Sequence, residues 1–246
     1  MRIKAGTIVT MISIPIILIL SAAFISAQES EPAVRESGGM GYSIFGKGRI
    51  NIDDLNTKLK SKGYAGLSDD FFCVGGGGHS IINDQFVLGG EALTLFGNDA
   101  VTGNYRSSIS VAYGFFDFGY IVLSEKDFRV YPFIGIGGGK MNFTIAEDVE
   151  SISIDEVLDD PGRKSEFSTG GFLFNMGIGA DYLIKFSEDE TGRGGMLLGV
   201  RAGYTFAPFK SGWSMGDIEI AGAPETGITG PYVRVIIGGG GIGVEE

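Results

Sequence analysis

Cysteine is nearly absent from the chain, and its scarcity removes two classes of protein. Cys73 is the single cysteine among 246 residues, so no disulfide can form within the chain. It also lies far from the N-terminus, whereas a lipoprotein needs a cysteine at the signal-peptide cleavage site. A disulfide-stapled fold and a lipoprotein anchor are both excluded.

Positive charge and long apolar runs are also scarce. Lys and Arg total 19 against 30 Asp and Glu, a formal net charge of −11, and an acidic chain is a poor partner for nucleic acid.

The one long apolar run extends from about Ile8 to Phe24, between two basic residues and the small-residue stretch "ISA". This pattern predicts a secretory signal peptide at 1–27, a flexible segment at 28–39 and a single β-barrel domain at 40–246. An uncleaved membrane anchor is the alternative for the apolar run.

Glycine, in contrast, is abundant, with 42 residues where about 7% is usual. The stretch "PFIGIGGGKMNF" (132–143) superficially resembles a phosphate loop. The spacing Gly-x4-Gly-Lys-[Ser/Thr] fails, because Ile134 stands five residues before Gly139 and Met141 follows Lys140. A nucleotide site is excluded, and the segment is predicted to be a strand with alternate glycines on one face.

Alternation with a period of two residues runs through the rest of the chain and predicts strands. In "FLFNMGIGADYLIKF" (172–186), aromatic and aliphatic residues occupy one face, while Asn, Asp and Gly dominate the other. The sequence predicts an all-β fold, an eight-stranded antiparallel up-and-down barrel. The predicted strands lie near 40–50, 71–81, 85–96, 104–123, 127–145, 167–186, 195–208 and 229–243. A turn at "GFFDFG" (114–119) would raise the number to nine or ten.

The connections between predicted strands alternate in length. Those after strands one, three, five and seven are mostly long, and those after strands two, four and six mostly short, which is the layout of outer-membrane barrels. Short helices are predicted in two long loops, at "NIDDLNTKLKSKGY" (51–64) and "SIDEVLDDPG" (153–162), from acidic residues near their starts and glycine near their ends.

The composition of the polar strand face indicates which side points inward. It holds Gly, Asn and Thr with about one charge per strand, such as Asp181 or Arg201, and this suits a narrow lumen better than a solvated surface. A soluble periplasmic barrel of the opposite orientation is the alternative. Aromatic residues near strand ends resemble the girdles of membrane barrels: Phe71, Phe72, Phe96, Tyr105, Phe128, Tyr131, Phe167, Phe186, Phe206, Phe209 and Tyr232.

Four segments of the second half carry a resemblance to a known family. "SEKDFRVYPFIGIGGGKMNF", "FNMGIGADYLI", "LLGVRAGYTF" and "YVRVIIGGGGIGV" resemble small outer-membrane barrels of the opacity-protein and OmpA transmembrane-domain type, over roughly 125–243. The resemblance implies an eight-stranded barrel in the outer membrane with both chain ends in the periplasm.

Four charged residues are predicted to point into the lumen: Glu91, Asp181, Arg201 and Arg234. Buried charges must pair, so we expect a structural ion cluster that closes the pore; a gated or leaky channel is the alternative. No catalytic residue, metal site or cofactor is predicted. His79 and Ser80 are adjacent, so on a strand they face opposite sides and cannot act as base and nucleophile.

The acidic run "EDVESISIDEVLDD" (147–160) lacks the residue order of a calcium loop. It is predicted to be a solvated outer loop, with divalent-cation bridging to lipid phosphates as the alternative.

Taken together, the patterns predict an exported, non-enzymatic outer-membrane barrel, a monomer in contact with membrane lipid, with a structural or surface-interaction role and a mostly plugged lumen. The alternative is a ligand-binding barrel, membrane-embedded or lipocalin-like in the periplasm, that holds a small apolar molecule in space left by the glycines.

Overall fold

The computed structural model describes residues 35–149, 151–159, 161–189, 192–209 and 211–245. The predicted signal peptide at 1–27 and the following residues up to 34 lie outside the described residues. Residues 35–39, which were predicted to be flexible, instead belong to the first strand.

Eight long strands form a closed ring, in which each strand pairs with its neighbours in chain order and the last returns to the first. They are β1 (Arg35–Arg49), β2 (Asp70–Ile82), β3 (Phe86–Phe96), β5 (Tyr105–Tyr120), β7 (Phe128–Glu147), β8 (Lys164–Asp189), β9 (Gly192–Phe206) and β12 (Gly230–Glu245). The predicted eight-stranded up-and-down barrel is confirmed. Because β5 is one continuous strand, "GFFDFG" is not a turn.

Four short strands and two short helices occupy the connections. They are β4 (Ala100–Thr102), β6 (Leu123–Glu125), β10 (Ser214–Met215), β11 (Ile218–Glu219), α1 (Asp53–Ser61) and α2 (Ile154–Asp159), with a 3-10 turn at Pro161–Arg163. Both helices lie in the loops where the sequence predicted them. Among the described residues, no helix has the length and apolar character needed to cross a bilayer.

The connections separate the barrel into a long-loop end and a short-turn end. The turn between β2 and β3 places Asn83 and Asp84 at positive φ, the conformation that a tight hairpin requires and that these two residue types tolerate. Up-and-down order places the start of β1 and the end of β12 at this same short-turn end.

Exposure along the strands shows which face is outside. On β8 the apolar residues Phe172, Met176 and Ile178 are exposed, whereas Asn175 and Asp181 are buried in the lumen. The predicted apolar-out, polar-in orientation therefore holds. The assignment of three aromatic residues to the girdle is wrong. Phe71, Tyr131 and Tyr232 are buried and fill the interior.

Helix α1 is packed into the long-loop end of the barrel. Its residues Leu55 and Leu59 are buried in the hydrophobic core. The Asn56 amide donates to the Leu67 carbonyl at 2.9 Å and accepts from the Leu67 N–H at 2.7 Å. Helix α1 thus covers part of the mouth, whereas α2 buries none of its residues.

Candidate functional site

The centre of the lumen is organised around one carboxylate between two guanidinium groups. Arg201 on β9 and Arg234 on β12 are directly opposite in register, a placement in which like charges repel. Glu91 on β3 accepts from Arg201 Nη1 at 3.0 Å through Oε2 and from Arg234 Nη1 through Oε1. All three side chains are buried, so Glu91 is what makes the Arg201–Arg234 pairing tolerable.

Asp181, the fourth predicted lumenal residue, belongs to the same network. Its Oδ2 accepts from the Tyr131 hydroxyl at 2.8 Å, and that hydroxyl accepts from Arg201 Nη2 at 3.3 Å. The structure therefore brings Glu91, Asp181, Arg201 and Arg234 together in one connected cluster.

His79 also points into this cluster, while Ser80 is exposed on the outer wall. Arg201 Nη2 lies 3.2 Å from His79 Nδ1, and a guanidinium can only donate. Nδ1 is therefore the acceptor, and the proton of a neutral imidazole is on Nε2. Nε2 lies 3.4 Å from Asp181 Oδ2, without the alignment of a hydrogen bond.

The hydrogen bonds among several lumenal groups were not predicted from the sequence. The Asn175 amide donates to Asp117 Oδ1 at 3.3 Å, and the Tyr232 hydroxyl donates to Asn175 Oδ1 at 2.8 Å. Arg234 Nη2 donates to the Tyr113 hydroxyl at 2.8 Å. Strand parity was the available signal, because each of these residues falls on the inward face of its strand.

A second ion cluster, at the short-turn end, was missed entirely. The Arg193 guanidinium binds Glu36 in a bidentate pair, with N–O distances of 2.6 and 2.7 Å. Arg129 contacts Glu36 at 3.0 Å and Asp84 at 3.0 Å, and Arg193 Nε lies 3.3 Å from Asp127 Oδ1. The cluster ties β1, β7 and β9 to two turns, and so fastens this end of the barrel.

Two lumenal glycines face the side chains of tyrosines rather than empty space. Tyr131 is paired in register with Gly179, and Tyr232 with Gly203. A Cβ added to Gly179 would lie 2.6 Å from the Tyr131 ring, and one added to Gly203 would lie 2.5 Å from the Tyr232 hydroxyl. The absence of a side chain lets each tyrosine lie flat over the neighbouring strand.

Two small voids lie beside this packing near the long-loop end, and an open recess of about 360 Å³ lies outside the lumen between α1 and residues 222–225. A cavity beside Tyr113, Tyr232 and Ile228 and another beside Leu173 and Ile228 each measure about 10 Å³, which is barely the space of one water molecule. Neither of the two small voids can hold a small apolar ligand. In the part of the chain that is described, no three His, Cys, Asp or Glu residues are grouped to hold a metal ion.

Comparison with known proteins finds similarity in solved structures alone. No protein-family model matches the chain, and no curated protein matches it. The attachment invasion locus protein of Yersinia pestis is 11% identical, over 86% of this chain and 98% of that one, with a TM-score of 0.35. The outer membrane protease OmpT from Escherichia coli is 10% identical, over 88% and 99%, with a TM-score of 0.32.

The outer membrane protein OprG from Pseudomonas aeruginosa gives a similar result, with 12% identity over 85% of this chain and 95% of that one, and a TM-score of 0.33. TM-scores this low carry no argument. The assignment of a barrel rests on the strand order and the exposure pattern.

Proposed function

We propose that this protein is an exported, non-enzymatic outer-membrane barrel that anchors long loops at the cell surface. The observation that carries the proposal is the exposure pattern, since Phe174, Ile178 and Val235 face outward while Glu91 and Arg234 are buried inside. An apolar outer wall around a polar interior is stable in lipid and costly in water. The partner of the wall is therefore membrane lipid.

The lumen is proposed to be plugged and to conduct no ions. The Glu91 cluster spans its centre and the Glu36–Arg193 cluster fastens the short-turn end. Charges that are already paired with one another offer little to a passing ion, and an eight-stranded barrel is narrow enough for side chains to fill. The protein then has a structural or surface-interaction role, as a monomer of the opacity-protein and OmpA type with both chain ends in the periplasm.

No hydrolytic role is proposed for His79. Its ring is enclosed by Arg201, Asp181 and Tyr42, and the adjacent Ser80 hydroxyl is on the other side of the wall. The base and the nucleophile of a hydrolase must lie within hydrogen-bond reach of each other.

A pair of substitutions at equally exposed positions tests the membrane assignment. Ile134 on the β7 wall and Ile218 in β11 of the fourth long loop are 64% and 65% exposed. Ile134→Arg should remove the protein from the detergent-extracted outer-membrane fraction, because a charge on the lipid face costs about 2–4 kcal/mol. Ile218→Arg should fractionate like the wild type.

A soluble periplasmic barrel would give a different result. Both wall and loop positions would then face water, both variants would be tolerated equally, and the wild-type protein would be recovered without detergent.

A further inference from the structure

Helix α2 presents an apolar face that nothing in the described part of the chain covers. Ile154 and Leu158 are 69% and 71% exposed, and Val157 is 38% exposed. Residues three and four apart lie on one side of a helix, so these three side chains form one continuous apolar face. Uncovered apolar surface of this kind is costly in water and marks interaction sites.

The helix is held in its conformation without burial. Ser153 and Glu156 form a capping box, in which the Ser153 N–H donates to Glu156 Oε2 at 2.9 Å and the Glu156 N–H donates to Ser153 Oγ at 3.2 Å. These hydrogen bonds lower the pKa of the Glu156 carboxyl. A helix of this length is marginal on its own, so the cap serves to preserve a surface that packing does not support.

Ion pairs fix the base of the same loop. Arg163 pairs with Glu147 at 3.2 Å, and Arg106 pairs with Asp148 at 2.7 Å and with Asp99 at 3.2 Å. The loop is therefore anchored at its base, while the Ile154 and Leu158 side chains of α2 stay exposed.

The remaining residues of α2 are acidic. Asp155, Glu156 and Asp159 are exposed, and within the described ranges the single positive charge that the structure records near them is that of Arg163, which attracts Glu156. The last turn of the helix has no basic residue. We define the α2 surface as the apolar face together with these three carboxylates.

Charge decides which kind of occupant suits the α2 surface. A second copy of the chain would bring the same carboxylates, and an anionic lipid surface would repel them in the same way. A small molecule needs a concave pocket, whereas this surface is convex. What remains is a partner that supplies apolar side chains and positive charge together.

We propose that the α2 surface docks a cationic amphipathic polypeptide segment, with aliphatic or aromatic side chains against Ile154, Val157 and Leu158 and Lys or Arg beside the carboxylates. Complementary charge would orient the segment, and apolar burial would hold it. The inference rests on the proposed function, which places the loop outside the cell.

The test uses the full chain, folded into phosphatidylcholine nanodiscs, and a fluorescent amphipathic Leu/Lys peptide. Binding is measured by anisotropy, with a Leu/Glu peptide of the same pattern as the charge control and empty nanodiscs as the lipid control. We expect the Leu/Lys peptide to bind wild-type protein and to bind more weakly as salt rises.

Two double variants separate the parts of the α2 surface. Ile154→Ser with Leu158→Ser should weaken binding about tenfold or more, because two buried aliphatic side chains are lost. Asp155→Asn with Asp159→Asn should weaken binding several-fold and flatten the salt dependence. Ile218→Ser, which removes an equally exposed aliphatic residue from another loop, should bind like the wild type.

Any of three results would overturn the proposal: equal binding of the Leu/Glu peptide, equal binding to empty nanodiscs, or unchanged affinity in the Ile154/Leu158 variant. Self-association of the wild type that this variant abolishes would show a second copy to be the occupant instead. Wild-type protein that fractionates to the outer membrane but ignores the peptide would refute this inference alone, whereas recovery in the soluble periplasm would refute the proposed function.

Discussion

The two loop helices have similar residues at their N-terminal ends, Ile52-Asp53-Asp54-Leu55 for α1 and Ile154-Asp155-Glu156-Val157 for α2. They differ in burial: α1 packs into the barrel and α2 does not. Helix α1 buries Leu55 and Leu59 in the mouth, and its last turn carries Lys58 and Lys60. Helix α2 buries nothing and has no basic residue in its last turn. The same local pattern thus serves as a cover in one loop and as an exposed surface in another.

The contrast extends to charge. Inside the barrel, Glu91 is buried between two guanidinium groups, whereas Glu156 is exposed and caps a helix end. A closed interior and an uncovered loop are consistent with a protein whose body is an anchor and whose interactions take place at the loops. The predictions below test this difference between the interior and the α2 loop.

The largest effect is expected from neutralising the central carboxylate. Glu91→Gln removes the carboxylate that pairs with both buried guanidinium groups, Arg201 and Arg234, and should lower the free energy of unfolding by about 3–5 kcal/mol. Urea unfolding followed by the fluorescence of Trp213, the single tryptophan, measures the loss. Glu156→Gln is the matched control and should leave the unfolding midpoint in place; equal midpoints for the two variants would refute the role of Glu91.

Truncating one leucine in each helix compares their burial directly. Leu59 is 5% exposed and Leu158 is 71% exposed. Leu59→Ala should cost about 2–5 kcal/mol, whereas Leu158→Ala should cost nothing measurable in the same unfolding assay. A comparable loss in Leu158→Ala would mean that α2 packs against the protein after all.

Adding a methyl group to a glycine distinguishes the filled lumen from the open outer wall. Gly179→Ala forces a contact with the Tyr131 ring and should cost about 1–3 kcal/mol. Gly41 on the outer wall has nothing within 4 Å of an added Cβ, so Gly41→Ala should be neutral. If Gly179→Ala were neutral too, the tyrosine would not be held over the glycine.

The smallest effect is expected from acidifying the α2 loop. Because the folded-state pKa of Glu156 is lowered, its stabilisation of the helix is fully present above the ordinary pKa of about 4.3 and is lost as pH falls through the lowered value. Hydrogen exchange of the Val157 amide, which donates to the Ser153 carbonyl at 3.2 Å, should lose protection in that acid range after correction for intrinsic rates. In Glu156→Gln the protection should not change with pH there.

Much of the fold could be predicted from sequence because the barrel has an apolar outer wall on one side of each strand and the lumen on the other. That asymmetry imposes strict alternation, as in 172–186, and alternation gives both the strands and their inward faces. The positions of individual side chains near strand ends were predicted less well. Tyr131 and Tyr232 were assigned to the girdle, but each covers a glycine of the neighbouring strand inside the barrel.

The partners within the lumen could not be predicted in the same way. Glu91 meets Arg201 and Arg234 across 110 and 143 residues of chain, and such contacts depend on the register of every strand pair between them. Asp117 lies in a strand that was predicted correctly, but its burial in the lumen was not, and Glu36 fell in a segment predicted to be flexible. For Glu36, the local assignment hid an inward-facing charge.

Conductance in a planar lipid bilayer tests the central claim, a sealed barrel that serves as an anchor. The wild-type protein should insert without opening any steady channel, because the Glu91 cluster and the Glu36–Arg193 cluster close the lumen. A steady conductance of porin size in the wild type would contradict the account.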